Sequence, residues 1–226
     1  MKEELRKKVL SLGADICGFA GIERFKNAPK GFHPSDIYSD CKSVIVFGIA
    51  LPKGIFMANA RLIYAYYNSF ACPLVDRIAF QTAVCLENTY HGTGVPLPSD
   101  GPYDEWNEEK MAGHGLLSMK HAACLSGIGA LGKSTLLLNR EFGNRLVIGC
   151  VLTDLIIDSD ELSPSICLEH CDLCIRNCPV SAIRENRVEQ KPCRTNTYGK
   201  TARGFDTVDC NRCRTSCPMR FGTGAK

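Results

Sequence analysis

Apolar residues recur along the N-terminal part of the chain with two different periods, and these periods predict its first elements. Residues 2–12 place their apolar side chains at helical spacing, and Gly13 follows as a stop signal. Two segments that are apolar after their first residue, at 15–20 and 43–51, predict two buried strands. A helix and strands in one short segment predict a domain that mixes α and β structure.

The middle of the chain alternates between a long apolar segment and polar, turn-rich segments. Residues 61–88 predict a helix that is broken or kinked near Pro73, because proline lacks the amide that a helix interior needs. The stretch HGTGVPLPSDGP at 91–102 is rich in turn-forming residues. Residues 103–115, YDEWNEEKMAGHG, predict a polar excursion or lid.

The next segment predicts a helix, a glycine-rich loop and a hairpin. A helix over 116–125 leads into the loop GIGALGKST at 127–135. Residues 136–139 and 145–153 predict a β-hairpin around EFGN. The composition then changes near Asp158 to DSDELSPS, which is typical of a linker.

The chain therefore predicts two domains: an α+β cofactor or substrate domain at 1–158 and a smaller cysteine-rich domain at 159–226. A net charge of +3 is too small to indicate nucleic-acid binding. The N-terminus lacks the pattern of a signal peptide. The longest continuous apolar run, at 44–51, is too short to cross a bilayer. These features predict a cytoplasmic protein without membrane contact.

The loop at 127–135 matches the phosphate-binding pattern G-x-x-x-x-G-K-[ST]. A phosphate loop follows a strand and begins a helix, so that the helix N-terminus faces the phosphates. Here a predicted helix precedes the loop and a predicted strand follows it, which argues against nucleotide hydrolysis. Two interpretations remain: the glycines permit a tight turn, or Gly127, Gly129, Gly132 and Lys133 contact another anionic or polar cofactor.

Cysteine is the residue type with the most uneven distribution. The chain has fourteen cysteines, of which six are scattered through the first two thirds and eight lie between 167 and 217. Scattered cysteines in apolar surroundings are usually buried core residues. A secreted disulfide framework is disfavoured because no export signal is present and the core is already large.

The clustered cysteines form two related runs that predict iron–sulfur ligation. The first run, at 167–179, is C-x3-C-x2-C-x3-C-P; the second, at 210–218, is C-x2-C-x3-C-P and has an isolated cysteine upstream. In two-cluster ferredoxins the fourth cysteine of each run ligates the other cluster. That rule assigns one [4Fe–4S] cluster to Cys167, Cys171, Cys174 and Cys217, and the other to Cys178, Cys193, Cys210 and Cys213. Structural zinc is the alternative, but it leaves the C-P endings and the interleaving unexplained.

The C-terminal region is basic, with ten Lys or Arg against four Asp or Glu over 184–226. Each oxidised cube with four thiolates carries a charge of about −2, so two cubes would offset most of this excess. The region also lacks the interleaved aromatic residues that stack on RNA bases. We therefore interpret the basic residues as a shell around anionic clusters and expect no nucleic-acid partner.

The order SMKHAACLSGIGALGKSTLLLNREFG, NRLVIGCVLTD and two cysteine runs resembles epoxyqueuosine reductase and, more distantly, reductive dehalogenases. The resemblance is clear over about 118–219 and weaker in LGADICGFAGI and CKSVIVFGIAL. It implies a nitroreductase-like mixed sheet with flanking helices that binds cobalamin, followed by a ferredoxin-like module with two [4Fe–4S] clusters. It also implies that Cys193 is the second cluster's upstream ligand and that GIGALGKST is a turn beside the cofactor domain.

Two departures from that family change the expected function. The tRNA-modifying family has an acidic proton donor in a segment resembling D-T-x-P-x-x-E, whereas the corresponding AGHGLLSMKHA has no carboxylate. His114 and Lys120 are the nearest ionisable residues, and His114 is the candidate catalytic residue because flanking glycines could present it to a cavity. The sequence also lacks the helical-repeat extension that helps to hold tRNA, so we expect a different substrate.

The sequence thus predicts an oxidoreductase that takes electrons from a low-potential donor and passes them to a corrinoid or to a small-molecule acceptor. A bound flavin is less favoured than a corrinoid. The alternative is a ferredoxin-type carrier or corrinoid reductase that docks a protein partner and has no substrate of its own. A nitroreductase-like domain also favours a homodimer.

Overall fold

The computed structural model describes residues 1–101, 103, 105–184 and 187–224. The helices are α1 Lys2–Ser11, α2 Pro34–Ile37, α3 Lys53–Met57, α4 Arg61–Tyr90, α5 Met119–Leu125, α6 Leu173–Arg176, α7 Gln190–Thr197 and α8 Arg212–Thr215. The strands are β1 Ile16–Gly21, β2 Ser43–Ala50, β3 Gly94–Leu97, β4 Glu105–Asn107, β5 Ala112–His114, β6 Ala130–Leu131, β7 Leu137–Leu138, β8 Leu146–Thr153, β9 Ile183–Arg184, β10 Arg187–Val188, β11 Tyr198–Lys200 and β12 Asp206–Val208. The predicted α+β class is confirmed.

Four strands form the central sheet in the spatial order β1-β2-β8-β3. Its pairs are antiparallel, with Ile16 opposite Gly48 and Val46 opposite Cys150. The resemblance led us to expect a mixed sheet, but every strand pair among the described residues is antiparallel.

The hairpin predicted over 136–153 is wrong. Strand β7 pairs with β6, whereas β8 lies between β2 and β3 in the central sheet. An eight-residue apolar strand that is buried on both faces pairs best with other long strands, and β2 supplies eight paired residues against two in β7.

Alternating side chains give the sheet two apolar faces. On one face Val44 and Val46 pack with residues of α5, and on the other Ile45 and Phe47 pack with α1 and α4. Gly149 on β8 allows α4 to approach closely, because a Cβ atom there would collide with the Val75 side chain. The sheet therefore fixes α5 and the loop that follows it on one side and the long helix α4 on the other.

Helix α4 runs for 30 residues and continues through Pro73, so the predicted break is wrong, whereas the alternative of a kink there stays a prediction. Packing against β3 and β8 stabilises the helix despite the missing amide hydrogen bond. In length and composition α4 could also cross a membrane, and it is the one such helix in the described part of the chain. Its Val75, Ile78 and Leu86 are buried against the sheet.

Two segments that the sequence predicted to be turn-rich or polar contain strands. The turn-rich stretch at 91–102 contains β3, in which Pro96 lies on a strand at the edge of the sheet. The polar excursion at 103–115 contains the hairpin β4–β5, in which Trp106 is opposite Gly113. The polar composition of this segment did not indicate strands, because the paired strands bury few side chains.

Contacts near both ends of the cysteine-rich region fasten it to the first part of the chain. In the linker, the Asp160 carboxylate forms ion pairs with Lys2 and Arg6 on α1, at 2.7 and 2.8 Å. At the other end, the segment 219–223 follows the second cysteine run in the chain and docks on the loop after β7. We call this segment the strap. The division into two domains at residue 158 stays a prediction.

Backbone hydrogen bonds hold the strap against the loop after β7. The Asn144 amide donates to the Arg220 carbonyl at 3.2 Å, and the Thr223 amide donates to the Arg140 carbonyl at 2.8 Å. The Phe221 ring lies edge-on to Phe56 at 6.5 Å and joins its apolar cluster.

Candidate functional site

Four of the predicted cluster cysteines line one small cavity. They come from both runs: Cys167, Cys171 and Cys174 from the first, and Cys217 from the second. All four are half-buried, and the short helices α6 and α8 of the two runs contact each other. Among the described residues no three His, Cys, Asp or Glu side chains are close enough together to hold a single metal ion. What the four cysteines share is the wall of this cavity.

The end of the GIGALGKST loop closes this cavity. Gly132 and Lys133 are among its lining residues. A Cβ atom on Gly132 would lie 3.6 Å from the Cys167 Sγ and 2.8 Å from the Leu138 Cδ1. The Lys133 ammonium donates hydrogen bonds to the Glu169 carbonyl and, at 3.0 Å, to the Cys171 carbonyl. Lys133 thus holds the backbone of the first cysteine run and places a positive charge beside it.

The first two glycines of the loop have a different environment. Gly127 has φ +76°, and a Cβ atom there would collide with the Glu161 carbonyl of the linker. A Cβ atom on Gly129 would collide with the Leu138 carbonyl of β7. Helix α5 precedes the loop and the short strand β7 follows it, which is not the order of a nucleotide-binding loop. Gly127 and Gly129 permit close packing, and their predicted contact with a cofactor stays a prediction.

Burial affects the thiols of this first group. It raises the pKa of Cys217, and nearby Cys167 and Cys174 raise it further, although a hydrogen bond from the Met219 backbone lowers it. Burial likewise raises the pKa of Cys174. Ligation requires thiolates, so a bound cation would have to displace these protons.

Three cysteines of the second predicted set are also close together. Burial raises the pKa of Cys213 to about 11; Arg214 lowers it, while Cys193 and Cys210 raise it. Cys193 lies on α7 and Cys213 on α8. The fourth predicted ligand, Cys178, has its Sγ 3.2 Å from the Ala182 amide, which donates to it. Its position in the second set stays a prediction.

A second cavity, of about 270 Å³, lies between α5 and the segment that leads into the hairpin β4–β5. Its wall includes the apolar side chains of Leu97, Leu117 and Met119, together with Tyr103 and Lys120. This size is close to the lower limit of about 300 Å³ for pockets that hold small ligands.

Lys120 connects this cavity with the second cysteine set. Its Nζ donates to the Thr135 carbonyl at 2.8 Å. Although much of the side chain is exposed, desolvation and then the charge of Arg214 lower its pKa, while Cys213 raises it. These influences place the ammonium group near Cys213 as well as on the cavity wall. The sequence analysis named Lys120 only as a nearby ionisable residue.

His114, the candidate catalytic residue, does not line either described cavity. Its side chain is 58% exposed, its Nδ1 lies 3.7 Å from a Glu105 oxygen, and its ring lies 5.7 Å from that of Phe32. Its catalytic role stays a prediction that the geometry does not strengthen.

Comparison with known proteins gives the geometry a family context. No family model matches the chain. A curated relative from Lactococcus garvieae (strain Lg2) is 23% identical over 258 residues, which cover 98% of this chain and 70% of the relative. This relative is an epoxyqueuosine reductase.

Solved structures share the fold. An epoxyqueuosine reductase crystallised with a modified tRNA stem loop is 18% identical, with a TM-score of 0.70 over 97% of this chain and 65% of that protein. A reductive dehalogenase, described with a mechanism for B12-dependent dehalogenation, is 18% identical, with a TM-score of 0.72 over 96% of this chain and 31% of that protein. The resemblance expected from the sequence is confirmed. The chain spans about two thirds of the length of the epoxyqueuosine reductases it matches.

Proposed function

We propose that the protein is an iron–sulfur oxidoreductase that passes electrons through two [4Fe–4S] clusters to an acceptor held in its N-terminal part. The observation that carries this proposal is the convergence of Cys167, Cys171, Cys174 and Cys217 on one cavity. Cys217 lies 43 residues beyond Cys174, so local sequence spacing alone would not bring them together. This arrangement agrees with the interleaved ligation of two-cluster ferredoxins. The names of the relatives as reductases support the same class.

Bound [4Fe–4S] clusters supply one-electron transfer, with potentials set partly by nearby charge and hydrogen bonds. The chain places Lys133 beside the first cysteine group, where a positive charge favours the more negative reduced state. Lys120 lies near the second group and on the wall of the larger cavity. We therefore place the acceptor next to the second group and the low-potential electron donor next to the first.

The volume of the larger cavity can be compared with the size of a corrinoid. A corrinoid is larger than the drug-sized ligands that occupy pockets of about 300–1,000 Å³. The cavity holds about 270 Å³, so a whole corrinoid is larger than the space that its lining residues enclose. They fit a small acceptor, with apolar contacts from Leu97, Leu117 and Met119 and a positive charge from Lys120. We derive no step through a corrinoid.

Metal analysis tests the cluster proposal. We expect about eight irons and eight sulfides per chain after anaerobic reconstitution, with interacting [4Fe–4S] signals in low-temperature EPR of the reduced protein. Stoichiometric zinc in anaerobically purified protein, without iron, would contradict it. Titration of the reconstituted protein with cobalamin and with flavin, followed by absorbance and calorimetry, tests the acceptor separately. Tight binding of cobalamin would show that the cavity opens.

A carrier that docks a protein partner is the second candidate function, supported by the exposure of the hairpin β4–β5, whose Trp106 is 49% exposed. Trp106 is the single tryptophan, so its fluorescence reports on this hairpin alone. A lid would respond to small ligands, whereas a docking surface would respond only to protein. A tRNA stem loop that bound specifically would overturn our expectation that this chain does not act on nucleic acid.

We also propose a homodimer that pairs through α4. The helix exposes the aromatic rings of Tyr66, Tyr67, Phe70 and Phe80, and residues 62–75 carry no charge. Tyr66 and Phe70 stack at 6.1 Å. A second copy presenting the same uncharged face would cover it through a two-fold interface. A dimer that covers this surface is compatible with a cytoplasmic location, and that location stays a prediction.

Light scattering after size exclusion tests the dimer. The parent should have the mass of two chains, and Phe70→Asp that of one. Phe205→Asp, which changes an exposed aromatic residue outside α4, is the matched control and should remain dimeric. Lipid-vesicle binding by a monomeric parent would favour a membrane surface as the partner and exclude the dimer.

A further inference from the structure

Three aromatic rings surround the guanidinium group of Arg194. Its central carbon lies 5.1 Å from the ring centre of Tyr103, 5.2 Å from that of Trp106 and 5.7 Å from that of Tyr198. Tyr103 and Trp106 stack on each other at 5.8 Å. Cation–π contacts of this kind attract even at exposed sites, and here one cation makes three of them.

Hydrogen bonds fix the same guanidinium group. Its Nη2 donates to the Tyr103 hydroxyl at 2.9 Å, and its Nε donates to the Gln190 Oε1 at 3.2 Å. The Gln190 oxygen also accepts from the Gly113 amide at 3.2 Å. Both strands of the hairpin β4–β5 are therefore tied to α7, through Trp106 on one strand and Gly113 on the other. We call this set of contacts the Arg194 latch.

The latch joins two parts of the proposed function. Tyr103 contributes to the wall of the 270 Å³ cavity. Arg194 follows Cys193, the predicted ligand of the second cluster, on the same short helix. A movement of the hairpin would thus act on the helix that carries Cys193.

We propose that Arg194 is a positioning residue that locks the hairpin β4–β5 onto α7. Ligation of Cys193 and closure of the hairpin, by which we mean its docking on α7, then stabilise each other. The inference rests on the proposed function for its cluster half. The residue must be arginine, because its planar group stacks on rings and donates in two directions at once, whereas lysine offers a single point charge. If ligation favours closure, closure must favour ligation to the same extent.

Hydrogen exchange of the hairpin peptide, read by mass spectrometry, tests the latch without an activity assay. Arg194→Gln should raise the exchange of residues 105–114 about tenfold, since it removes several contacts of modest individual strength. Lys191→Gln removes the same charge from the same helix and should leave the exchange unchanged. Arg194→Lys should lie close to Arg194→Gln. Tyr103→Phe, which breaks the latch from the hairpin side, should give a smaller rise that does not add to that of Arg194→Gln.

The coupling is tested by comparing metal-free and reconstituted protein. Cluster assembly should slow hairpin exchange in the parent and in Lys191→Gln, but not in Arg194→Gln. The EPR signal of the second cluster should change in Arg194→Gln alone. Equal hairpin exchange in parent and Arg194→Gln overturns the latch, and a parent whose hairpin ignores assembly overturns the coupling. If the parent binds no iron, the proposed function fails, and the metal-free comparison still decides whether the latch exists.

Discussion

Three of the six scattered cysteines occupy a different physical environment from the clustered ones, whereas Cys72, Cys85 and Cys124 are half-buried like the clustered set. Cys17, Cys41 and Cys150 are buried in the sheet domain, and burial raises the pKa of Cys17 to about 12. The eight clustered cysteines are all half-buried, and four of them face one cavity. A thiol that is fully surrounded by apolar side chains is a core residue, whereas a ligand needs room for its metal and a route for it to enter.

The difference teaches that convergence in the fold, more than cysteine count, separates the predicted ligands from the core cysteines. Cys150 lies 0% exposed on β8 and packs with Val44 and Leu152. Cys217 lies near three other thiols that come from elsewhere in the chain. Substitutions in the two populations should therefore have opposite signatures: loss of stability in one and loss of metal in the other.

The largest expected effect is that of Cys217→Ala. Iron should fall from about eight to about four per chain, because the cube predicted to be shared with the first run loses a ligand. Iron and sulfide analysis with EPR measures this. Cys150→Ala is the control from the other population and should keep its iron while losing stability. Equal iron contents in the parent and Cys217→Ala would remove the interleaved assignment.

Cys193→Ala should lower iron by a similar amount but affect the other cube. Its EPR spectrum should keep the signal that Cys217→Ala loses, since the two substitutions act on different sets. Loss of the same signal in both variants would mean that the eight cysteines form one cooperative unit.

The core cysteines should make stability depend on pH. The folded-state pKa of Cys17, about 12, lies above its unfolded value, so its contribution is complete below about pH 9 and is lost as pH rises towards 12. At pH 10.5 the loss should reach about 2 kcal/mol. Urea unfolding at pH 8 and pH 10.5 measures it, and Cys17→Ala should show a smaller decrease. A parent and variant with the same pH dependence would contradict this burial effect.

Lys133→Met should have the smallest effect, on the retention of iron in the first group. Loss of its hydrogen bonds to the Glu169 and Cys171 carbonyls should cost about 1 kcal/mol, which corresponds to roughly fivefold faster iron loss to a chelator. Lys7→Met on α1 is the matched control. An unchanged rate would show that the ammonium group contributes nothing to the first cysteine group.

Much of the N-terminal part of the chain could be predicted from the sequence, because its strongest signals are local. The apolar runs of β2 and the long helix α4 are visible in a single window of residues. The partner of β8 could not be predicted, since it lies about a hundred residues away in the chain. Strand β3 was hidden by turn-forming residues on both sides.

The candidate site divides in the same way. The two cysteine runs have a spacing that is typical of iron–sulfur ligands. The structure brings four cysteines of these runs to one cavity. The Arg194 latch joins residues 91 positions apart, Tyr103 and Arg194, and neither has a local pattern that marks it. Contacts of that kind depend on tertiary packing and become visible only in the folded chain.

The strap has a consequence for how electrons could be delivered. Some redox modules swing on a flexible tether between a donor site and an acceptor site. Here the segment 219–223 is hydrogen-bonded to the loop after β7, and Asp160 pairs with α1 at the other end of the cysteine-rich region. With both ends fastened, this region cannot travel. Under the proposed function, the distance over which an electron tunnels to the acceptor would then be set by the fold, and the donor would have to come to the protein.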